Sequence, residues 1–141
     1  MTCHIICMTE TLRPEVMDTM ISGFSLLRWD RVGRRSGVVF YYRSYFRASL
    51  RICSEAGCSG RPEFLIAEVF RYVSSLLLGI VYRPPNTGYL QEFQNKFLDL
   101  QTNYKHSIIF VDFNADMLTD TYDSMQLKNF TNSANLYCVP Y

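Results

Sequence analysis

The chain has 141 residues, 48% hydrophobic and 19% charged, with a formal net charge of +1, a balance that fits one globular domain able to bury about two thirds of its unfolded surface. Near-neutrality excludes binding a polyanion through overall charge, though not through a local basic patch. No apolar run approaches the ~20 residues of a membrane-spanning helix, the N-terminus lacks the basic-then-apolar pattern of a secretion signal, and five cysteines at irregular spacings read as free thiols of a reducing compartment, not as a zinc set.

Aromatic residues reach 15%, with ten Tyr and ten Phe, which suits a sheet-rich interior. Residues 3–8 (Cys-His-Ile-Ile-Cys-Met) read as a buried strand that stops at Thr9-Glu10. Residues 14–20 suit a short helix with Pro14 in its first turn, and His4 reads as a strand-edge residue, not a ligand. Residues 23–28 form a further strand. Arg28, Arg31, Arg34 and Arg35 then crowd around Trp29, a composition equally suited to touching a phosphate backbone and to a solvated loop. Residues 37–43 alternate and are rich in Val, Phe and Tyr, the mark of a strand. Residues 44–61, with two glycines, read as a loop with a turn of helix at most.

Residues 63–72 and 75–82 are strands a hairpin apart, the second continuously aliphatic and therefore more central. Tyr82-Arg83-Pro84-Pro85-Asn86 ends that strand and stiffens its exit, with Asn86 or Thr87 available to cap a helix. The helix covers residues 88–104, with Leu90, Phe93, Phe97 and Leu100 spaced along one face. Residues 108–111 (Ile-Ile-Phe-Val) read as a strand buried on both faces, ending in Asp112, Asn114 and Asp116. Residues 123–130 are weakly helical, and residues 136–139 start another strand. Strands and crossovers alternate, so the class is α/β.

Three strand ends thus carry polar groups: Glu10, the turn from Tyr82 to Asn86, and Asp112 with Asn114. In α/β sheets ligand sites lie just beyond the carboxyl ends of strands. If these ends share one lip, two carboxylates offer Mg²⁺ hard oxygens, an Asp beside an Asn amide orients or deprotonates a water, and a Tyr hydroxyl reaches a phosphate. The same residues also suit an Asx turn, a helix cap and a core aromatic.

Four blocks in order, Ile-Ile-Cys-Met-Thr-Glu, Arg-Arg-Ser-Gly-Val-Val-Phe-Tyr-Tyr-Arg, Gly-Ile-Val-Tyr-Arg-Pro-Pro-Asn and Ile-Ile-Phe-Val-Asp-Phe-Asn-Ala-Asp, resemble the endonuclease/exonuclease/phosphatase superfamily. More narrowly they resemble the endonuclease domain of non-LTR retrotransposons, over nearly the whole chain. The resemblance implies a four-layer α/β sandwich, two mixed sheets face to face with helices outside. It implies Mg²⁺- or Mn²⁺-dependent nicking of DNA that leaves a 3′ hydroxyl to prime reverse transcription, without a membrane, in the nucleus after cytoplasmic synthesis. Glu10 matches the metal-binding glutamate, with Asp112 also at the metal. Tyr82 matches the tyrosine near the scissile phosphate and Asn86 the asparagine of its turn. Asp112 matches the aspartate that handles the water or leaving group, and Asn114 the asparagine that orients the phosphate.

The chain also departs from the pattern. Family members begin with a further strand bearing a metal-binding asparagine, and end with a Ser-Asp-His run whose His contacts the phosphate. Residues 1–141 contain neither, Val111 stands where the family usually has glycine, and the glycine-rich turn before Val38 is reduced to Ser36-Gly37. The expectation is one domain over residues 1–141, truncated at both ends, a fragment with weak or absent nicking because acid–base groups that act as a unit lose most of their rate when one is removed. Two other readings stay open: a superfamily phosphodiesterase acting on abasic DNA, a phosphorylated lipid or an inositol, and an inactive remnant serving as a binding surface.

Overall fold

A computed structural model gives the architecture; it describes residues 3–11, 20–30, 37–55, 60–85, 90–114, 118 and 121–139. Among these, seven strands and two helices follow in the order β1 (Ile5–Met8), β2 (Phe24–Asp30), β3 (Gly37–Arg43), β4 (Arg47–Cys53), β5 (Glu63–Arg71), β6 (Ser74–Tyr82), α1 (Gln91–Gln101), β7 (Ser107–Asp112) and α2 (Tyr122–Ser133). The strands make two sheets, an antiparallel one in the order β1-β3-β2 and a mixed one in the order β4-β5-β6-β7, where only β6 and β7 run parallel. The architecture is therefore an α/β sandwich. Most neighbours are antiparallel hairpin partners, because the connections between β4, β5 and β6 are too short for a crossover.

Strand pleating sorts the side chains into two cores. Val38 and Phe40 from one sheet meet Leu65, Ala67, Val69, Leu78, Ile80 and Tyr82 from the other. The alternate residues Phe64, Ile66, Leu77 and Val81 face outward onto Leu90, Phe93 and Phe97 of α1 and Leu127 and Phe130 of α2. Helix α1 approaches so closely that a Cβ on Gly79 would stand 3.1 Å from both the Phe93 and Phe97 rings. That proximity, not backbone freedom, is why β6 carries glycine there.

Several expectations need correction. Strand β1 is a half-buried edge strand, not a buried one, with Met8 47% exposed. The expected loop of residues 44–61 contains β4; its alternation is broken by a bulge between Leu50 and Ile52, and its arginines suit an exposed edge. Residues 136–139 are irregular, not a strand. Helix α1 is shorter than residues 88–104, and its N-cap is Leu90 with no side-chain cap. The expected helix of residues 14–20 lies almost wholly outside the described residues, as do Arg31, Arg34, Arg35, the capping candidate Thr87, and Asp116.

The largest correction concerns β7. Ile109 and Val111 pack on the helix side, but Ile108 and Phe110, on the face turned toward the other sheet, remain 44% and 40% exposed. Strands β2 and β3 lie over β4, β5 and β6, so β7 is an edge strand with an open inner face. An unbroken apolar run does not distinguish burial on two faces from an uncovered margin.

Candidate active site

The carboxyl ends of β1, β6 and β7 meet at one end of the sandwich. Two residues past β1, Glu10 takes the left-handed backbone conformation at φ 52°, which non-glycine residues adopt at a cost and often at functional sites. The turn is pinned next door, where the Thr11 N–H donates to the Gly37 carbonyl at 3.2 Å. Gly37 itself has no room for a side chain: a Cβ would lie 2.6 Å from the Trp29 carbonyl oxygen. Glycine is thus required at position 37 by its close packing against Trp29 and Asp30, beside the turn that carries Glu10.

So held, Glu10 reaches across the gap between the sheets. The Tyr82 hydroxyl, at the last position of β6, donates to its carboxylate. Strand β7 runs parallel to β6 and sets Asp112 directly beside Tyr82, while antiparallel β5 sets Glu63 on its other side. Tyr82 is 6% exposed and Glu63 2%. The Tyr82 phenol is pushed up to about 12, first by burial, then by its bond to Glu10 and by the negative fields of Glu10, Asp112 and Glu63. It is a proton donor throughout the neutral range, in a site of concentrated negative charge.

Below this lip, a polar frame fixes the strand exits. The Arg83 N–H donates to the Asp112 carbonyl at 2.9 Å, extending the β6–β7 ladder by one step. The Arg83 guanidinium, buried at 9% exposure, pairs with Asp123 at 2.6 Å. Asp123 stands in the first turn of α2, where a carboxylate also suits the helix dipole, and Thr121 caps that helix by accepting from the Ser124 N–H at 3.2 Å. Asn114, left-handed at φ 46°, donates its side-chain amide to the Arg83 carbonyl at 2.9 Å.

Of the expected residues, Glu10, Tyr82, Asp112 and Asn114 lie at this end, and Asn86 is outside the described residues. Asn114 spends an amide N–H on the backbone, so here its described contact is with the fold. His4 and His106 precede β1 and β7 and so stand at the opposite end. Reasoning from sequence missed Glu63 and Arg83 as members of the site. Glu63 was legible through the hairpin: once Arg71 pairs with Ser74, antiparallel register puts Glu63 opposite Tyr82.

No membrane-spanning helix, and no cluster of three or more His, Cys, Asp or Glu side chains placed to hold a metal, occurs among the described residues. Glu10 and Asp112 nevertheless supply the hard oxygen donors that Mg²⁺ or Mn²⁺ takes, and Mg²⁺ ordinarily keeps water in its other positions.

No family model and no curated protein matches the chain. Solved structures do. The endonuclease domain of TRAS1, a telomere-specific non-LTR retrotransposon, superposes with a TM-score of 0.64 at 11% identity, over 86% of this chain and 57% of that one. The human Nocturnin catalytic domain with bound sulfate superposes with a TM-score of 0.58 at 14% identity, over 92% of this chain and 56% of that one. The chain thus spans a little over half the length of each and shares their fold.

Proposed function

We propose that the chain is the endonuclease domain, or a portion of it, of a non-LTR retrotransposon, and that its site is built for Mg²⁺- or Mn²⁺-assisted hydrolysis of a DNA phosphodiester. The observation that carries this is the convergence of Glu10, Tyr82 and Asp112 from three strand ends onto one lip of a nuclease-type sandwich. Glu10 and Asp112 are the groups that would hold the ion. Bound there, the ion would neutralise charge on a phosphoryl oxygen and on the leaving oxygen.

The chain's own groups have separate tasks. Tyr82, protonated at neutral pH, donates to a phosphate oxygen when substrate displaces its bond to Glu10. Asp112 orients the attacking water and accepts its proton. Asn114 fixes the chain direction just beyond Asp112, and a part for Asn86 follows from the sequence resemblance alone. By analogy with such elements, the substrate would be chromosomal DNA and the expected location the nucleus after cytoplasmic synthesis.

The test is conversion of supercoiled plasmid to nicked circles in Mg²⁺ by the 141-residue chain. We expect slow conversion, abolished by Asp112→Ala, because the sequence contains no Ser-Asp-His run to supply a histidine at this lip. Conversion that Asp112→Ala leaves unchanged overturns the reading.

One observation favours a second reading, an inactive binding module: among the described residues this end has no histidine and no group of three or more His, Cys, Asp or Glu placed to hold a metal. Mg²⁺-dependent thermal stabilisation without any nicking would select it.

A further inference from the structure

The end of the sandwich opposite Glu10 and Tyr82 has a different character. Segments 3–5, 20–24, 42–47, 69–76 and 103–107 converge there, because β1, β6 and β7 begin at this end and β3 and β5 finish at it. These segments contain Arg43, Arg47, Arg71, Lys105, His4 and His106, and no Asp or Glu. Glu10, Glu63, Asp112 and Asp123 lie at the other end. Arg28, Arg61 and Arg83 stand toward that second end as well, and Glu68 borders the first, bonded to Tyr104. What sets the first end apart is therefore that its exposed tip holds cations without acids; the two ends are about 27 Å apart over the nine residues of β6.

Aromatic rings are interleaved with the cations. The Arg71 guanidinium lies 4.5 Å from the Tyr45 ring centroid, 5.8 Å from that of Phe46 and 5.1 Å from that of Tyr72. His4 packs edge-on against Tyr45 and Phe46, and Arg43 sits 4.4 Å over the Phe24 ring. The cluster is open to solvent: Tyr45 is 48% exposed and Tyr72 87%.

The β5–β6 turn is unusual for its position. Arg71 pairs with Ser74, so Tyr72 and Val73 are the two turn residues. Such turns favour Gly, Asn or Asp where φ is positive, yet Tyr72 stands there at φ 56° and Val73 is 101% exposed. Beyond the contact of the Tyr72 ring with Arg71, both side chains stand out into solvent at that tip.

We propose that this end is a binding platform for single-stranded nucleic acid, separate from the Glu10–Tyr82 lip. Arg43, Arg47, Arg71 and Lys105 meet the phosphates, and Tyr45 and Tyr72 stack on bases. A single strand fits better than a duplex because its unpaired bases expose faces for stacking, whereas a duplex hides them. The inference does not rest on the nuclease reading.

The test is fluorescence anisotropy with labelled oligothymidylate and the intact chain, with chelator present so that no cleavage occurs, followed by photocrosslinking and peptide mapping. Expected results are preference for the single strand over a duplex of equal length and crosslinks within residues 42–47 and 69–76. Tyr72→Asn, which suits the turn conformation, and Arg71→Leu should each weaken binding about tenfold. Crosslinks at the Tyr82 end, tighter binding of duplex, or unchanged affinity in both variants would overturn it. Equal displacement by a sulfated polymer without bases would do the same by reducing the patch to charge alone. Failure to bind the oligonucleotide, with self-association through Tyr72 and Val73, would replace it with a protein interface.

Discussion

The Tyr82 hydroxyl donates to the carboxylate of Glu10, a residue 72 positions away in sequence and on the other sheet. That one bond ties the rim of one sheet to the last residue of a central strand in the other. It sets the Glu10 carboxylate, like that of Asp112, in the electrostatic reach of the Tyr82 phenol. Tyr82→Phe removes the donor and should cost about 1 kcal/mol of stability, read by chemical denaturation, and should lower any nicking activity.

The same pair gives a pH dependence. The folded phenol titrates near 12, above its ordinary value of 10. Between those values the folded state holds a proton that the unfolded chain has released. Stability from this group is therefore complete below pH 10 and is lost as pH rises toward 12. Alkaline denaturation should be less steep in Tyr82→Phe than in the parent. Ultraviolet titration of the phenols should show one late-titrating group that the variant lacks.

Gly79 predicts a packing effect far from the chemistry. A Cβ there would press on the Phe93 and Phe97 rings at 3.1 Å, so Gly79→Ala should destabilise the fold by about 1–3 kcal/mol. Phe97→Ala, at a ring with no exposed surface, should cost about 3–5 kcal/mol. Thermal melts of both variants measure this.

Asp123→Asn separates framework from site. It weakens the 2.6 Å pair with buried Arg83, but Asp123 is 40% exposed, so screening limits the loss to about 1 kcal/mol. Because Arg83 also holds the exit of β6 beside Asp112, the variant should shift metal affinity more than it shifts the melting temperature.

How far the sequence revealed this fold varies by element. Strand β3 was legible to the residue, because Gly37 to Arg43 alternates between two buried faces, and the Leu90, Phe93, Phe97 stripe gave the buried side of α1. Strand β4 was hidden because its pairing with β5 slips between Leu50 and Ile52 and Arg47, Ser49 and Arg51 interrupt its apolar residues. The inner face of β7 was misjudged because burial of Ile108 and Phe110 depends on what lies over them, which periodicity does not encode. The candidate site was legible as strand ends followed by acids. That Glu10 and Tyr82 would touch was not, since the contact depends on how two sheets stack and on a left-handed backbone at Glu10. Glu63 escaped notice because an acid at a strand start looks like a solvated boundary until its hairpin partner is known.

The most direct test of the account is Mn²⁺ titration, followed calorimetrically, of the parent chain, Glu10→Gln and Asp112→Asn. The account predicts one site in the parent, weakened at least about tenfold by either substitution. Unchanged Mn²⁺ affinity in both variants would contradict it, because the two carboxylates would then not share an ion.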